Sequence, residues 1–175
     1  MAIEKEVKYL IDKLPSNLTD FLYFEQYYFE CIDIENDILK LFGLNSLEVF
    51  STKRIRFIKS SNGEKYILTL KTSGLYEREE LEKEISKDLF DKILNQNILS
   101  CVKKNRYVKR YKEYVFEFDE YLNLTTKLYT CEVEDQNLEK NKDDIEFILI
   151  NHFNLTINDV TLDPKYKNNN ITKYF

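Results

Sequence analysis

The sequence predicts a mainly β protein of the α+β kind: an eight-stranded antiparallel barrel, closed or nearly so, flanked by a few helices. Two observations lead there. Roughly eight stretches have the length and β-rich composition of strands, mostly in hairpin order, and only short segments between them show helical spacing. On those strands ionisable residues recur at every second position and apolar residues fill the alternate ones, so each strand has one charged and one apolar face.

The first strand, Ile3 to Ile11, places Glu4, Glu6 and Lys8 on one face and Ile3, Val7, Tyr9 and Ile11 on the other, with Lys5 the exception. Pro15 to Phe24 reads as a short turn or helix, Pro15 suiting a first helical turn. Phe24 to Ile34 is the second strand, on which Gln26 and Tyr28 share a face. Ile34, Ile38, Leu39, Leu41 and Phe42 then recur at helical spacing, and Gly43 is a natural stop. Val49 to Lys59 is the third strand, carrying Arg54 and Arg56 on either side of Ile55.

Asn62-Gly63 reads as a hairpin turn into the fourth strand, where Tyr66, Leu68 and Leu70 oppose Ile67, Thr69 and Lys71. After a loop at Gly74, a fifth strand from Arg78 to Ile85 alternates Arg78, Glu80, Glu82 and Glu84. Ser86 can cap a helix with the stripe Leu89, Phe90, Ile93 and Leu94. Two further strands, Ile98 to Tyr111 with Lys104 and Arg106 and Tyr114 to Tyr121 with Asp119, meet near Lys112-Glu113. Leu128 to Asp135 carries Glu132 and Glu134. A helix starting at Asp143 would turn Ile145, Ile148, Leu149 and Phe153 to the core, and the Asn-rich end from Asn168 is expected to be partly loose. No repeat or linker interrupts residues 1–175, which predicts one domain.

Composition narrows the function classes. At 175 residues and 43% hydrophobic the chain can bury a real core, and 3 Gly and 2 Pro exclude collagen-like and Gly/Pro-rich disordered classes. No run approaches the roughly 20 apolar residues of a membrane span, and Glu4 and Glu6 stand where a signal peptide needs a basic and then an apolar region, so a cytoplasmic location is expected. Cys31, Cys101 and Cys131 lack CxxC spacing and read as reduced, buried thiols. His152, the only histidine, cannot build a multi-histidine metal site, and its setting near a helix end suits a structural role. A net charge of −5 gives nucleic acid no general invitation, so a bound polyanion must be met by locally concentrated Lys and Arg.

The charged faces admit two readings. They are either the solvated outer faces of an ordinary sheet or the lining of a shared wet cavity, since a dry charged interior would cost too much. The order of the motifs favours the cavity. IEKEVKYLI resembles the ExExK opening of the CYTH, or triphosphate tunnel metalloenzyme, superfamily. RIR at Arg54–Arg56, LTLK ending in Lys71, REELEKEI from Arg78, KNRY from Lys104, FEFDEY around Asp119, CEVE around Glu132 and VTLDPKYKNN follow in that family's order. Departures are YYFEC in the second strand, a long Glu35–Phe50 connection that could cover one tunnel mouth, and Lys165 where an arginine is common.

The resemblance implies a closed eight-stranded tunnel that hydrolyses a small triphosphate with a divalent metal, as in bacterial-type tripolyphosphatases or thiamine triphosphatase-like enzymes. Lys8, Arg54, Arg56, Lys71, Arg78, Lys104 and Arg106 would hold phosphate oxygens, which guanidinium groups grip in a bidentate fork. Carboxylates cannot bind phosphate directly and need bridging cations; all-oxygen ligands favour Mg²⁺ or Mn²⁺. Glu4, Glu6, Glu132 and Glu134 would hold one ion, and Glu80, Glu82 and Asp119 a second with its attacking water. Lys104 and Tyr28 are the candidates for proton transfer, while Glu84, Lys109, Arg110 and Glu117 are placed outward or at the rim. Inorganic tripolyphosphate is the simplest substrate, with thiamine or nucleoside triphosphates beside it, and a monomer or homodimer is expected. The alternatives are a class IV type adenylyl cyclase, an RNA 5′-triphosphatase, for which no exposed basic track is evident, and an inactive polyphosphate- or nucleotide-binding module.

Overall fold

A computed structural model describes residues 2–30, 33–74 and 77–175, with the side chains of residues 2–4 and 77 outside that description. The strands are β1 (Ala2–Ile11), β2 (Leu22–Glu30), β3 (Thr52–Ser60), β4 (Gly63–Lys71), β5 (Glu77–Glu84), β6 (Asn97–Tyr111), β7 (Tyr114–Tyr121), β8 (Tyr129–Glu134) and β9 (Ile157–Asp159). They form one antiparallel sheet in the order β5-β4-β3-β2-β6-β7-β8-β1-β9. The sheet curls, because β1 also pairs with β5 from Ala2↔Glu80 to Lys5↔Glu77. Beyond that pairing, Tyr9 to Ile11 of β1 lie between β8 and the short β9. At three residues β9 is too short to show a period, and it was not among the predicted strands.

Alternation splits the sheet into two chemically different faces. Val7, Tyr9, Phe116, Phe118 and Val133 point outward and pack under α3 (Leu138–Asn151) through Ile145, Ile148 and Leu149. Ile55, Leu68 and Leu70 point outward under α1 (Glu35–Phe42) and α2 (Lys87–Leu94), meeting Ile38, Phe90 and Ile93. These two apolar cores lie between the sheet and its helices; a third, smaller one joins Val102, Tyr121, Leu128 and Ile171, and the rest of the inner face is left to the charges. Among the described residues no helix is long and apolar enough to cross a membrane.

Local signals set several boundaries. Ser86 caps α2, its hydroxyl accepting from the Leu89 N–H at 3.2 Å. Gly43 ends α1 at φ 68°, the left-handed conformation that glycine adopts without steric cost. In the β3–β4 hairpin Ser60 pairs with Gly63, so the turn is Ser61-Asn62 rather than Asn62-Gly63, and the positive φ of 124° falls on Gly63. No helix follows Pro15; a turn with Asn17 at φ 65° leads into β2. The third helix begins at Leu138, five residues before Asp143, because Leu138 is itself buried in the core beneath it. His152 ends that helix and stacks on Tyr111 with ring centroids 3.7 Å apart, a structural setting.

The Glu35–Phe50 segment sends Ile38, Leu47 and Phe50 into the core on the outer face of β3 and β4, so it does not lie across a tunnel mouth. The C-terminal end is not loose either. Two 3-10 turns, Pro164–Tyr166 and Ile171–Lys173, fold back on the sheet, Ile171 is fully buried with Val102 and Tyr121, and Thr125 N–H donates to Phe175 O at 2.7 Å. Cys131 is buried and Cys101 half-buried, both as free thiols, while Cys31 lies outside the described residues.

Candidate active site

The inner face brings together side chains from eight strands, and cross-strand register decides which base meets which acid. Arg78 of β5 reaches Glu6 of β1 at 2.7 Å. Lys71 and Glu80, opposite each other on β4 and β5, are 2.7 Å apart, and Arg56 meets Glu82 at 2.8 Å. Lys8 faces Glu132 across β1–β8 at 3.0 Å. Arg106 gathers three acids: it donates to both oxygens of Asp119 at 2.7 Å and also to Glu117 and Glu132. Lys104 donates to the same Asp119.

Two adjoining cavities, of about 410 and 560 Å³, open along this face. Glu6, Arg54, Lys71, Arg78, Glu132 and Asn168 line both. The larger adds Arg56, Glu80, Glu82, Arg106, Glu117 and Glu134. The smaller adds Lys8, Tyr28, Asp163 and Lys167 and is walled elsewhere largely by hydroxyls and amides, including Ser51, Thr52, Ser73, Thr161 and Asn169. Lys104 and Asp119 line neither; both are fully buried behind the wall. The side chain of Glu4 lies outside the described residues.

Glu117, placed at the rim by the sequence, lines the larger cavity, because it shares a face of β7 with Asp119. Glu84, Lys109 and Arg110 are exposed. Lys165 is also exposed, its ammonium 5.9 Å from the centre of the Tyr174 ring. Sequence reasoning missed Tyr121, Thr161 and Asn168 as site residues. Tyr121 lies two positions beyond Asp119 on one strand, so alternation could have found it. Thr161 and Asn168 follow the last strand and have no periodic signal; their one signal is the VTLDPKYKNN motif that contains them.

The electrostatics follow from burying many charges together. Burial opposes the Glu132 carboxylate, but Lys8, Lys104 and Arg106 outweigh it and hold its pKa well below the usual range. Burial, with Arg106 beside it, lowers Lys104 to about 8 against the pull of Asp119 and Glu132. Burial and Arg54 lower Arg56 to about 10. Burial raises Tyr28 although Arg54 pulls it down, so its phenol stays protonated at neutral pH. Among the described residues two fully buried side-chain polar atoms have no protein partner, the Nε atoms of Arg54 and Arg56. A buried donor left unpaired costs about 1–3 kcal/mol, more when charged, so these two mark a place for an acceptor.

No family model and no curated protein matches the chain. Solved structures do. HpAC1 from Hippeastrum, an adenylyl cyclase candidate described as revealing a dominant triphosphatase activity, is 20% identical at a TM-score of 0.62, over 97% of this chain and 95% of its own. The inorganic triphosphatase NE1496 is 20% identical at 0.58, over 100% and 97%. A Bacillus halodurans protein described as a candidate adenylate cyclase is 18% identical at 0.55, over the full length of both chains. What the chain shares with these proteins is its fold.

Proposed function

We propose that the chain is a divalent-metal-dependent triphosphatase acting on a small triphosphate, most simply inorganic tripolyphosphate, inside a closed eight-strand tunnel. The observation that carries the reading is the pair of buried, unpartnered Nε atoms on Arg54 and Arg56, two residues apart on the inner face of β3. Guanidinium groups suit phosphate oxygens, and phosphate supplies the acceptors these atoms lack. The β1–β5 pairing supports the closed tunnel, and the fold shared with NE1496 and HpAC1 supports the chemistry.

Charge balance supports the metal. The bases Lys8, Arg54, Arg56, Lys71, Arg78, Lys104, Arg106 and Lys167 are matched one for one by Glu6, Glu80, Glu82, Glu117, Asp119, Glu132, Glu134 and Asp163. A site so balanced has no surplus positive charge for a polyanion, and a cation entering with the ligand supplies it. The donor set fits a hard ion: every candidate ligand is a carboxylate, with no His or Cys on the cavity walls. Glu6 and Glu134 face each other in the β1–β8 register, and like charges so placed gain from a shared cation. In this reading Glu4, Glu6, Glu132 and Glu134 hold one Mg²⁺ or Mn²⁺, and Glu80 and Glu82 serve a second. Bound there, such an ion would supply positive charge to the phosphoryl oxygens and a lowered pKa to its water.

The chain's own residues then divide the work. Arg54, Arg56, Lys71 and Arg78 bind and orient the phosphates. Tyr28, a neutral phenol on the cavity wall, is a proton donor to a departing oxygen. Lys104 acts from behind the wall, holding Asp119 and through it Arg106. A second reading, nucleotide cyclisation, is favoured by the smaller cavity, whose hydroxyls and amides could hold a nucleoside. Phosphate release and cyclic-nucleotide formation, measured on tripolyphosphate, thiamine triphosphate and nucleoside triphosphates with Mg²⁺ or Mn²⁺, separate the two. Phosphate release from no member of the panel would overturn the first reading.

A further inference from the structure

Asn168 sits where the two cavities meet, and the orientation of its amide follows from its neighbours. Its Oδ1 accepts from the Tyr121 hydroxyl at 2.7 Å and from Lys8 Nζ at 3.4 Å, while Lys8 also donates to the Tyr121 oxygen at 3.1 Å. A lysine ammonium has donors and no acceptor, so the amide oxygen must face it. The NH₂ group therefore points away from Lys8 and Tyr121, and among the described residues nothing accepts from it. Asn168 lines both cavities beside Arg54, Lys71 and Arg78.

The segment that carries Asn168 is fixed. Val160 N–H donates to Lys8 O at 2.9 Å, and Lys8 N–H donates to Thr161 Oγ1 at 3.0 Å. On its other side Asn170 N–H donates to Lys167 O at 2.9 Å, and Ile171 is anchored with no exposed surface. An amide held from both directions loses little freedom on meeting a ligand.

We propose that the Asn168 amide donates directly to the anionic ligand, which makes the segment after β9 part of the binding site. The inference rests on the triphosphate reading and sets a neutral donor beside the charged Arg54, Lys71 and Arg78. Such a group binds an anion without drawing the carboxylates away from their ions, as another lysine would.

The rival role is positional: Asn168 could serve only to hold Lys8. A double-mutant cycle separates the two, read as tripolyphosphate affinity by titration calorimetry. Asn168→Ala is expected to weaken binding roughly 10- to 150-fold, the size of a hydrogen bond to a charged partner. The same loss is expected in a Lys8→Met background, because a direct contact does not need Lys8. If the loss is absent in the natural chain, or vanishes in the Lys8→Met background, the proposal is overturned. Should Lys8→Met fail to fold, Lys8→Gln, which also removes the ammonium, provides the second background with the same two outcomes. Arg54→Ala is the control. Tripolyphosphate binding that weakens in Arg54→Ala but not in Asn168→Ala overturns the inference alone, whereas a natural chain that binds no tripolyphosphate overturns the reading beneath it as well.

Discussion

Lys8 of β1 and Glu132 of β8 stand directly opposite each other in the strand register, with Nζ and Oε1 3.0 Å apart and both side chains nearly buried. Arg106 reaches the same carboxylate from β6. The folded chain therefore holds Glu132 ionised far below its ordinary pKa of 4.5.

The sign of the resulting pH dependence follows from linkage. A carboxylate whose folded pKa is depressed binds fewer protons folded than unfolded. Its stabilisation is present above the unfolded value and is lost as pH falls through the folded one. Urea midpoints should therefore fall as pH drops below about 4.5, and Glu132→Gln should flatten that fall. At neutral pH the same variant should lose about 3–5 kcal/mol, because Lys8 and Arg106 stay buried with less countercharge.

Lys104 gives a second pH signature at the opposite end. Its pKa is lowered to about 8 from 10.5, so between those values the unfolded chain holds a proton that the folded chain has released. Stability then rises with pH in that window. Lys104→Met should abolish the rise between about pH 8 and 10, read from urea midpoints. Asp119 keeps its two bonds to Arg106 in that variant, so the fold should survive.

Arg54 should contribute to ground-state and transition-state binding alike. Arg54→Ala is expected to raise KM for the best triphosphate roughly 10- to 150-fold with little change in kcat, the loss of one charge-assisted contact of about 1.5–3 kcal/mol. A fall in kcat at constant KM, in steady-state kinetics, would move Arg54 from the clamp to the chemistry.

Glu6→Gln tests the metal. The change keeps shape and removes one charge from a carboxylate opposite Glu134. Turnover should be lost while the circular dichroism spectrum and melting temperature stay close to those of the natural chain, and excess chelator should silence the natural protein equally. Full activity under either condition would rule the metal out.

Which side chains face inward was already written in the residue pattern. Period-two alternation is a local property of an extended chain, so Arg54, Arg56, Lys71, Glu80 and Glu132 were legible as one charged lining. Ile55, Leu70, Phe118 and Val133, all fully buried in the outer cores, were legible as its back. The Ser86 cap and Gly43 stop were local too. Tertiary structure alone decided which charge meets which, since a pairing such as Arg106 with Asp119, Glu117 and Glu132 depends on register between strands far apart in sequence. It also sank Lys104 behind the wall and drew the Glu35–Phe50 segment onto the outer face of β3 and β4. Asn168 was the least legible of all: it lies on no strand, and its place beside Lys8 is set by β9 pairing with β1 and by Ile171 burying itself against β6 and β7, contacts that span most of the chain.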